Sequence, residues 1–517
     1  MGVAIPNQDS DGPIHPGVPY DKWMQDRRQA DPSGIDTPNG EYGYMLPKWT
    51  RIQTVLEGTD AMRAAGRTYL CQHQYETNMA YEERLSASVL DNWTSRTLET
   101  LVGKAYKDPP KFDKLPDVLA ALEADCDGAQ HTMVDVSQEW FREALAKQWA
   151  WLYVDMTPGA AKPDGTARTL ADDRRDGIRP IWRVICPEDV IFAMGTPLGG
   201  RFIWEQVRIA ENSMEPSGPF GEELVQRIRV LRPGSWELYR RVQTRKNQKP
   251  KWVLEDAGLT GLSEIPIVRF RIDGDKPPLE DLVHLNIAHF QSGSDQRSIL
   301  TTSRFAMLAA SGAPEIDQAA GEKPLVVGPK QWLSMANPEG RFYYVEHTGA
   351  AITAGRTDMQ DLEQRMASYG AEFLKQQPGR ASATGRALDS SEAQSLLQTW
   401  VRQFAEVLAQ ALRYTAMWLR APVDLELGEV LFELKPDLEE RDPTELQTFD
   451  RARARGDMSR EAWVEEMLAR NLFRSNYDAE ADKGIIQAEL PEGVPVGGVL
   501  FQQPPQDAAS PPKNPTS

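Results

Sequence analysis

Residues 279–308 read LEDLVHLNIAHFQSGSDQRSILTTSRFAML, and the organisation of the chain turns on this stretch. Leu282, Leu285, Phe290, Ile299, Leu300 and Phe305 recur at helical spacing, so the segment reads as one long helix. Its middle, Ser292-Gly293-Ser294-Asp295-Gln296-Arg297, is polar all round. A helix with apolar ends and a polar waist is unusual in a monomeric core. It suits a helix packed between subunits and facing a channel. The competing reading is a helix broken at Gly293, because an interior glycine costs on the order of 1 kcal/mol.

On the C-terminal side, residues 311–352 look mixed, with short strands at Pro324 to Val327 and Arg341 to Val345 around a Pro- and Gly-bearing loop. Residues 356–377 are helical in pattern. Residues 378–389, PGRASATGRALD, form a small-residue loop. An N-cap at Ser390, or at Asp389 with Glu392, then opens the clearest amphipathic helix, with Leu397, Trp400, Phe404, Leu408 and Ala411 on one stripe. Residues 423–435 alternate and read as one or two strands. Residues 443–454 and 459–471 are charged and amphipathic, and 491–517 are Pro- and Gln-bearing and expected to be disordered.

On the N-terminal side, residues 1 to about 45 are rich in Pro, Gly, Asp and Asn and read as an extended arm or a frayed terminus. Helical patterns follow over 49–106, about 115–125 and about 132–148. The character then switches to strands at Trp149 to Asp155, Pro180 to Cys186, Val190 to Ala193, Phe202 to Val207, Gln226 to Leu231, Trp236 to Arg240, Trp252 to Glu255 and Ile265 to Phe270. Met194 to Gly200, MGTPLGG, reads as a turn between two of them. No internal repeat is evident. The fold class is therefore α+β, a strand-rich block enclosed by helices.

Composition narrows the function. The chain has 517 residues, 40% hydrophobic, which is enough to bury a sizeable core. Its net charge of −18 disfavours a simple DNA-gripping module, which gains affinity by placing Lys and Arg on phosphates. A wall past which DNA must slide is different, since a duplex does not move quickly along a surface that binds it tightly. Three cysteines, Cys71, Cys126 and Cys186, make a disulfide framework unexpected and point to a reducing compartment. No signal peptide or membrane span is expected.

The motifs argue against chemistry. Cys71-x-His73 has no second ligand pair, and His284 and His289 are five apart on a helix, a poor ligand spacing. No G-x-x-x-x-G-K-[ST] loop cradles a phosphate, and no G-x-S-x-G elbow is present. We expect no enzyme activity, no catalytic residues, no cofactor and no metal site.

Five stretches, in this order, resemble the portal protein family of tailed bacteriophages: Ser95 to Pro110 (SRTLETLVGKAYKDPP), Arg179 to Glu211, Glu264 to Arg271 (EIPIVRFR), Asp281 to Ser298 (DLVHLNIAHFQSGSDQRS) and Ala383 to Leu397 (ATGRALDSSEAQSLL). The ordered set carries the resemblance, over roughly residues 60–470. It implies a homo-oligomeric ring, typically of twelve copies, at one capsid vertex of the virion, assembled in the host cytoplasm. The implied partners are the terminase large subunit, a head-tail adaptor protein, the major capsid protein, a scaffolding protein where one exists, and double-stranded DNA passing through the channel, with no membrane.

On the portal plan, residues 1–44 are an N-terminal arm, 45–278 an α/β wing, 279–308 the first stem helix, 309–353 the clip and 354–377 the second stem helix. Residues 378–389 are then the tunnel loop, 390–436 the return to the wing, 437–488 the crown and 489–517 a tail. Arg380, Ser382, Thr384 and Arg386 become the tunnel-loop candidates for transient contact with DNA, since small residues let a loop approach a duplex closely. For the two arginines, pairing with acidic neighbours between subunits is an equal reading. Lys323, Lys330 and Arg341 are the clip candidates, with a solvated face as the alternative, and Ser294, Gln296 and Arg297 the stem candidates. The acidic stretch 424–445 fits either DNA repulsion in the crown or ordinary solvation. The rival readings are another virion structural protein, such as a head-tail adaptor or capsid subunit, and a hydrolase with an unrecognised site.

Overall fold

The computed structural model describes residues 32–112, 119–157, 159, 170–198, 201–243, 250–304, 307–311, 339–345, 349–372, 396–420, 430–431, 451–455, 459 and 462–464. The chain divides into two compact units, Met1–Glu433 and Leu434–Ser517. The first is α+β.

The first unit opens with helices α1 (Gly40–Glu57), α2 (Thr59–Ala65), α3 (Asn78–Ala87) and α4 (Trp93–Ala105). Helix α1 begins earlier than the pattern from residue 49 suggests, because the Asn39 side chain accepts from the Tyr42 amide and caps it there. Its buried residues Met45, Trp49, Ile52 and Val55 form one helical stripe. Short strand β1 (Lys111–Phe112) and helix α5 (Ala120–Ala124) lead to α6 (Met133–Lys147), whose Thr132 and Asp135 form a reciprocal capping box.

Two antiparallel sheets follow. Strand β2 (Trp149–Met156) is central in a three-stranded sheet, between β3 (Pro180–Ile185), which helix α7 (Leu170–Arg175) precedes, and β9 (Ile267–Arg271). The second sheet is a meander of β4 (Val190–Leu198), β5 (Arg201–Ser217), β6 (Gly221–Arg232), β7 (Ser235–Val242) and β8 (Lys251–Leu259), in sequence order. Residues 194–198, expected in a turn, are strand: Met194 pairs with Gln206 and Leu198 with Arg201. The glycine in this run serves close approach, because a Cβ on Gly195 would overlap the Phe202 ring and the Ile203 carbonyl.

Helix α1 and both sheets share one core. Trp49 and Met45 pack with Trp149, Trp151 and Tyr153 from β2, Val207 and Ile209 from β5, and Leu231 from β6. The Trp49 ring meets Trp149 edge-on at 5.2 Å, and its Nε1 donates to the Lys147 carbonyl at 2.9 Å. Lys147 is itself buried. Burial works against its charge, but Glu143 and Glu188, both at 2.9 Å, outweigh that and raise its pKa.

The long helices come next: α8 (Glu280–Ser303), strands β10 (Met307–Ser311) and β11 (Arg341–Val345), and α9 (Ala350–Glu372). Helix α10 (Leu396–Trp418) then returns to the three-stranded sheet. Phe404 lies 5.1 Å from Trp140 of α6 and 4.8 Å from Phe270 of β9, and the Trp182 indole donates to Thr415 at 2.9 Å. Strand β12 (Val430–Leu431) pairs antiparallel with β1. The second unit has helical turns at 451–455 and 462–464, the latter capped by Ser459, with Arg453 over the Trp463 ring. Among the described residues no helix is long and apolar enough to cross a membrane.

Candidate functional site: the paired long helices

Helix α8 runs unbroken through Gly293, which faces Met359 of α9. The two helices are antiparallel, as their contacts show: Ser292 Oγ donates to Asp358 at 2.8 Å, and Gln296 Nε2 to the Ile352 carbonyl at 2.9 Å. His289 Nε2 lies 3.3 Å from a Glu363 carboxylate oxygen. The seam is polar and closely packed. A Cβ on Gly355 would overlap the end of the Gln296 side chain, which would have to move to admit it.

The polar waist of α8 also docks the loop before α3. Arg84 of α3 is 7% exposed. Its Nε and Nη2 donate to the two Glu76 carboxylate oxygens at 2.8 Å each, and Nη2 also donates to the Cys71 carbonyl at 2.7 Å. Its Nη1 reaches Ser294 and Asp295 of α8 at 3.4 Å. The Arg84 hydrogen bonds hold the Glu76 carboxyl down at about 2. Ser88 Oγ donates to Ser294 Oγ at 2.7 Å, and His73 pairs with Asp295 at 3.1 Å.

These contacts correct the stem reading. Ser294 and Gln296, expected to face neighbours or a channel, are buried inside this chain, at 3% and 9% exposure. Their polar groups bind α3 and α9. Arg297 is the exposed member of the three, although it also donates to the Ala87 carbonyl. Deeper in α8, Asn286 caps α4 from outside: its Oδ1 accepts from the Thr94 amide and hydroxyl at 3.0 and 3.1 Å.

The element bounds also differ from the expected ones. Helix α8 ends at Ser303, and Met307 and Leu308, placed with that helix from sequence, belong to β10. Helix α9 starts at Ala350, inside the stretch expected to be clip. Gly355 lies inside this helix, packed against the Gln296 side chain of α8. Strands β10 and β11 pair antiparallel with Ser311 opposite Arg341, and Arg341 is exposed. Lys323, Lys330, the expected strand Pro324 to Val327, and Arg380, Ser382, Thr384 and Arg386 lie outside the described residues, as do the caps at Asp389 and Ser390.

The motif residues have structural partners. The Cys71 carbonyl serves Arg84, and Arg51 Nη1 donates to His284 Nε2 at 3.1 Å. Among the described residues no group of three His, Cys, Asp or Glu side chains is placed to hold a metal ion.

A family model described as a domain of unknown function (DUF4055) matches residues 278–419, which span α8 through α10. No curated protein matches the chain. Among solved structures, the neck of an empty GTA particle computed with C6 symmetry is 10% identical, with 84% of this chain and 99% of that chain covered at a TM-score of 0.31. The neck of a native GTA particle computed with C12 symmetry gives 10% identity, coverage of 71% and 87%, and a TM-score of 0.32. The virion of a native gene transfer agent particle gives 10%, 84% and 99%, and 0.32. Scores this low do not mark a shared fold.

Proposed function

We propose that this chain is a portal subunit, one copy of a ring that forms the DNA channel at a single capsid vertex. The observation that carries this reading is helix α9. It has 23 residues, roughly 34 Å of helix, yet among its described side chains only Leu362 and Met366 are buried. A helix covered this little by its own chain draws its support from packing against further elements. Identical copies side by side supply those through heterologous contacts that close a ring. The helix–strand–strand–helix order of α8 to α9 and the sequence resemblance point the same way.

The mechanism is geometric. The clip strands accept the packaging motor and later the tail adaptor. The net charge of −18 keeps the channel weakly adhesive to phosphate. Arg380 and Arg386 of the tunnel loop make the transient DNA contacts. The sequence has no P-loop, so the terminase supplies the force. Sedimentation of the purified chain tests this: the expected species is near 700 kDa, roughly twelve copies of 58.0 kDa, without ATPase activity. A monomer at every concentration contradicts it.

A further inference from the structure

We infer that the outer face of helix α3, with the turn before it, docks onto helix α9 of a second copy of this chain, an inference that rests on the ring reading above. Helix α8 lies between these two surfaces within one copy. Its His289, Ser292, Gly293 and Gln296 meet α9. Its Gln291, Ser294 and Asp295 instead meet the Tyr69 carbonyl, Ser88, Arg84 and His73. At ~100° per residue the two sets point in directions roughly 160° apart. The chain therefore carries α3 and α9 on opposite flanks of α8. A head-to-tail neighbour sets the α3 flank of one copy against the α9 flank of the next, which is the heterologous contact that closes a ring.

The α3 flank holds an aromatic ring out in water. Residues 73–76 form a tight turn, closed by the Glu76 amide donating to the His73 carbonyl at 3.1 Å. Tyr75 occupies its third position with φ +86°, a left-handed conformation that ordinarily falls to glycine. The Tyr75 residue is 96% exposed, so no packing within the described chain repays that backbone. The turn is nonetheless fixed: Gln72 Nε2 donates to the Glu76 carbonyl at 2.8 Å, and Arg84 grips the Glu76 carboxylate. A preformed, exposed aromatic is a ready interface anchor. Met79, 74% exposed, lies on the outer face of α3 with Glu82, Glu83 and Ser86. Among the described residues neither glutamate has an ion-pair partner. Such a face repels phosphate, so DNA is not its ligand.

The α9 flank is complementary. Thr353, Thr357, Gln360 and Gln364, on the face turned away from α8, are exposed. Arg356 and Arg365 border that face, exposed and without an ion-pair partner among the described residues. Of the three carboxylates between them, Asp358 accepts from Ser292 and Glu363 meets His289, which leaves Asp361 as the one not bonded to α8. A guanidinium stacks on a tyrosine ring and pairs with a carboxylate. The two arginines of one copy therefore suit Tyr75, Glu82 and Glu83 of the next.

Two variants of the full chain test this. Tyr75→Gly/Met79→Ser removes both exposed side chains, and glycine suits the backbone at residue 75, so folding is spared. It should raise the concentration for half-assembly roughly tenfold or more. The second variant carries Cys71→Ser, since Cys71 is exposed, with Tyr75→Cys and Thr357→Cys added. The assembled protein is treated with a short bis-maleimide and run on a denaturing gel. A ladder of linked multimers is expected, with neither single-cysteine control giving one. Wild-type rings combined with no ladder, or with unchanged assembly of Tyr75→Gly/Met79→Ser, overturn the inference while leaving the ring reading intact. Equal linking by Tyr75→Cys alone also overturns it, by setting turn against turn. A wild-type chain that sediments as a monomer before any linker is added removes the ring reading and the inference with it.

Discussion

Replacing Arg84 by methionine removes the cation that ties the loop at residues 71–76 to helix α8. Methionine keeps much of the aliphatic stem, so the loss is mainly electrostatic. The Glu76 side chain is 11% exposed and would lose both its guanidinium bonds, and the Cys71 carbonyl would lose its donor. Breaking a buried pair on one side costs about 3–5 kcal/mol, because the surviving charge stays desolvated. The pH dependence sharpens this. Glu76 titrates near 2 when folded, against a reference value of 4.5. Its pKa is depressed by folding, so the stabilisation is complete above the reference value and drains away as pH falls towards 2. The full shift corresponds to about 3 kcal/mol, of which about 2 is gone by pH 3. The assay is urea unfolding of wild type and Arg84→Met at equal subunit concentration, followed by tryptophan emission, at pH 7 and pH 3. The expected gap is about 3–5 kcal/mol at pH 7, shrinking by about 2 at pH 3. A gap below about 1 kcal/mol at pH 7, or one that ignores pH, refutes the pairing as the source of stability.

Three further outcomes follow from the packing. Trp49→Ala empties the shared core and should cost about 3–5 kcal/mol by the same unfolding assay. Gly355→Val should cost about 1–3 kcal/mol through overlap with Gln296, and adding Gln296→Ala should recover part of it; independent, additive losses would show that the two do not touch. Lys147→Ala strands Glu143 and Glu188 without their shared cation and should cost about 3–5 kcal/mol, with partial recovery on adding Glu188→Gln in thermal melts.

Much of the strand block was legible because half-buried strands alternate. Ile228 and Val230 of β6 are buried while Arg227 and Arg229 beside them are half-buried, a period of two that survives in the sequence. Helix α10 was legible for the matching reason: its apolar stripe at Leu397, Trp400, Phe404, Leu408 and Ala411 meets a sheet. Strand ends were read too short, since exposed residues such as Met214 and Glu222 carry no burial signal.

The waist of α8 was misread for a different reason. Its polarity is legible, but its partners are not. Ser294 meets Ser88 and Arg84, and the Gln296 Nε2 donates to the Ile352 carbonyl, all from elements far away in sequence. Arg84 itself looks like one more charge on an exposed helix, and nothing in its spacing from Glu76 marks it as buried. Asn286 gives no signal either, because the helix it caps begins almost two hundred residues upstream.

The central claim is that α8 and α9 of many copies stand around one axial opening. Electron microscopy of the purified full-length chain, with averaged end-on views, tests this directly. The expected image is a closed ring with a central hole and a layer of paired long helices around it. Single globules with α8 and α9 enclosed and no hole would contradict it.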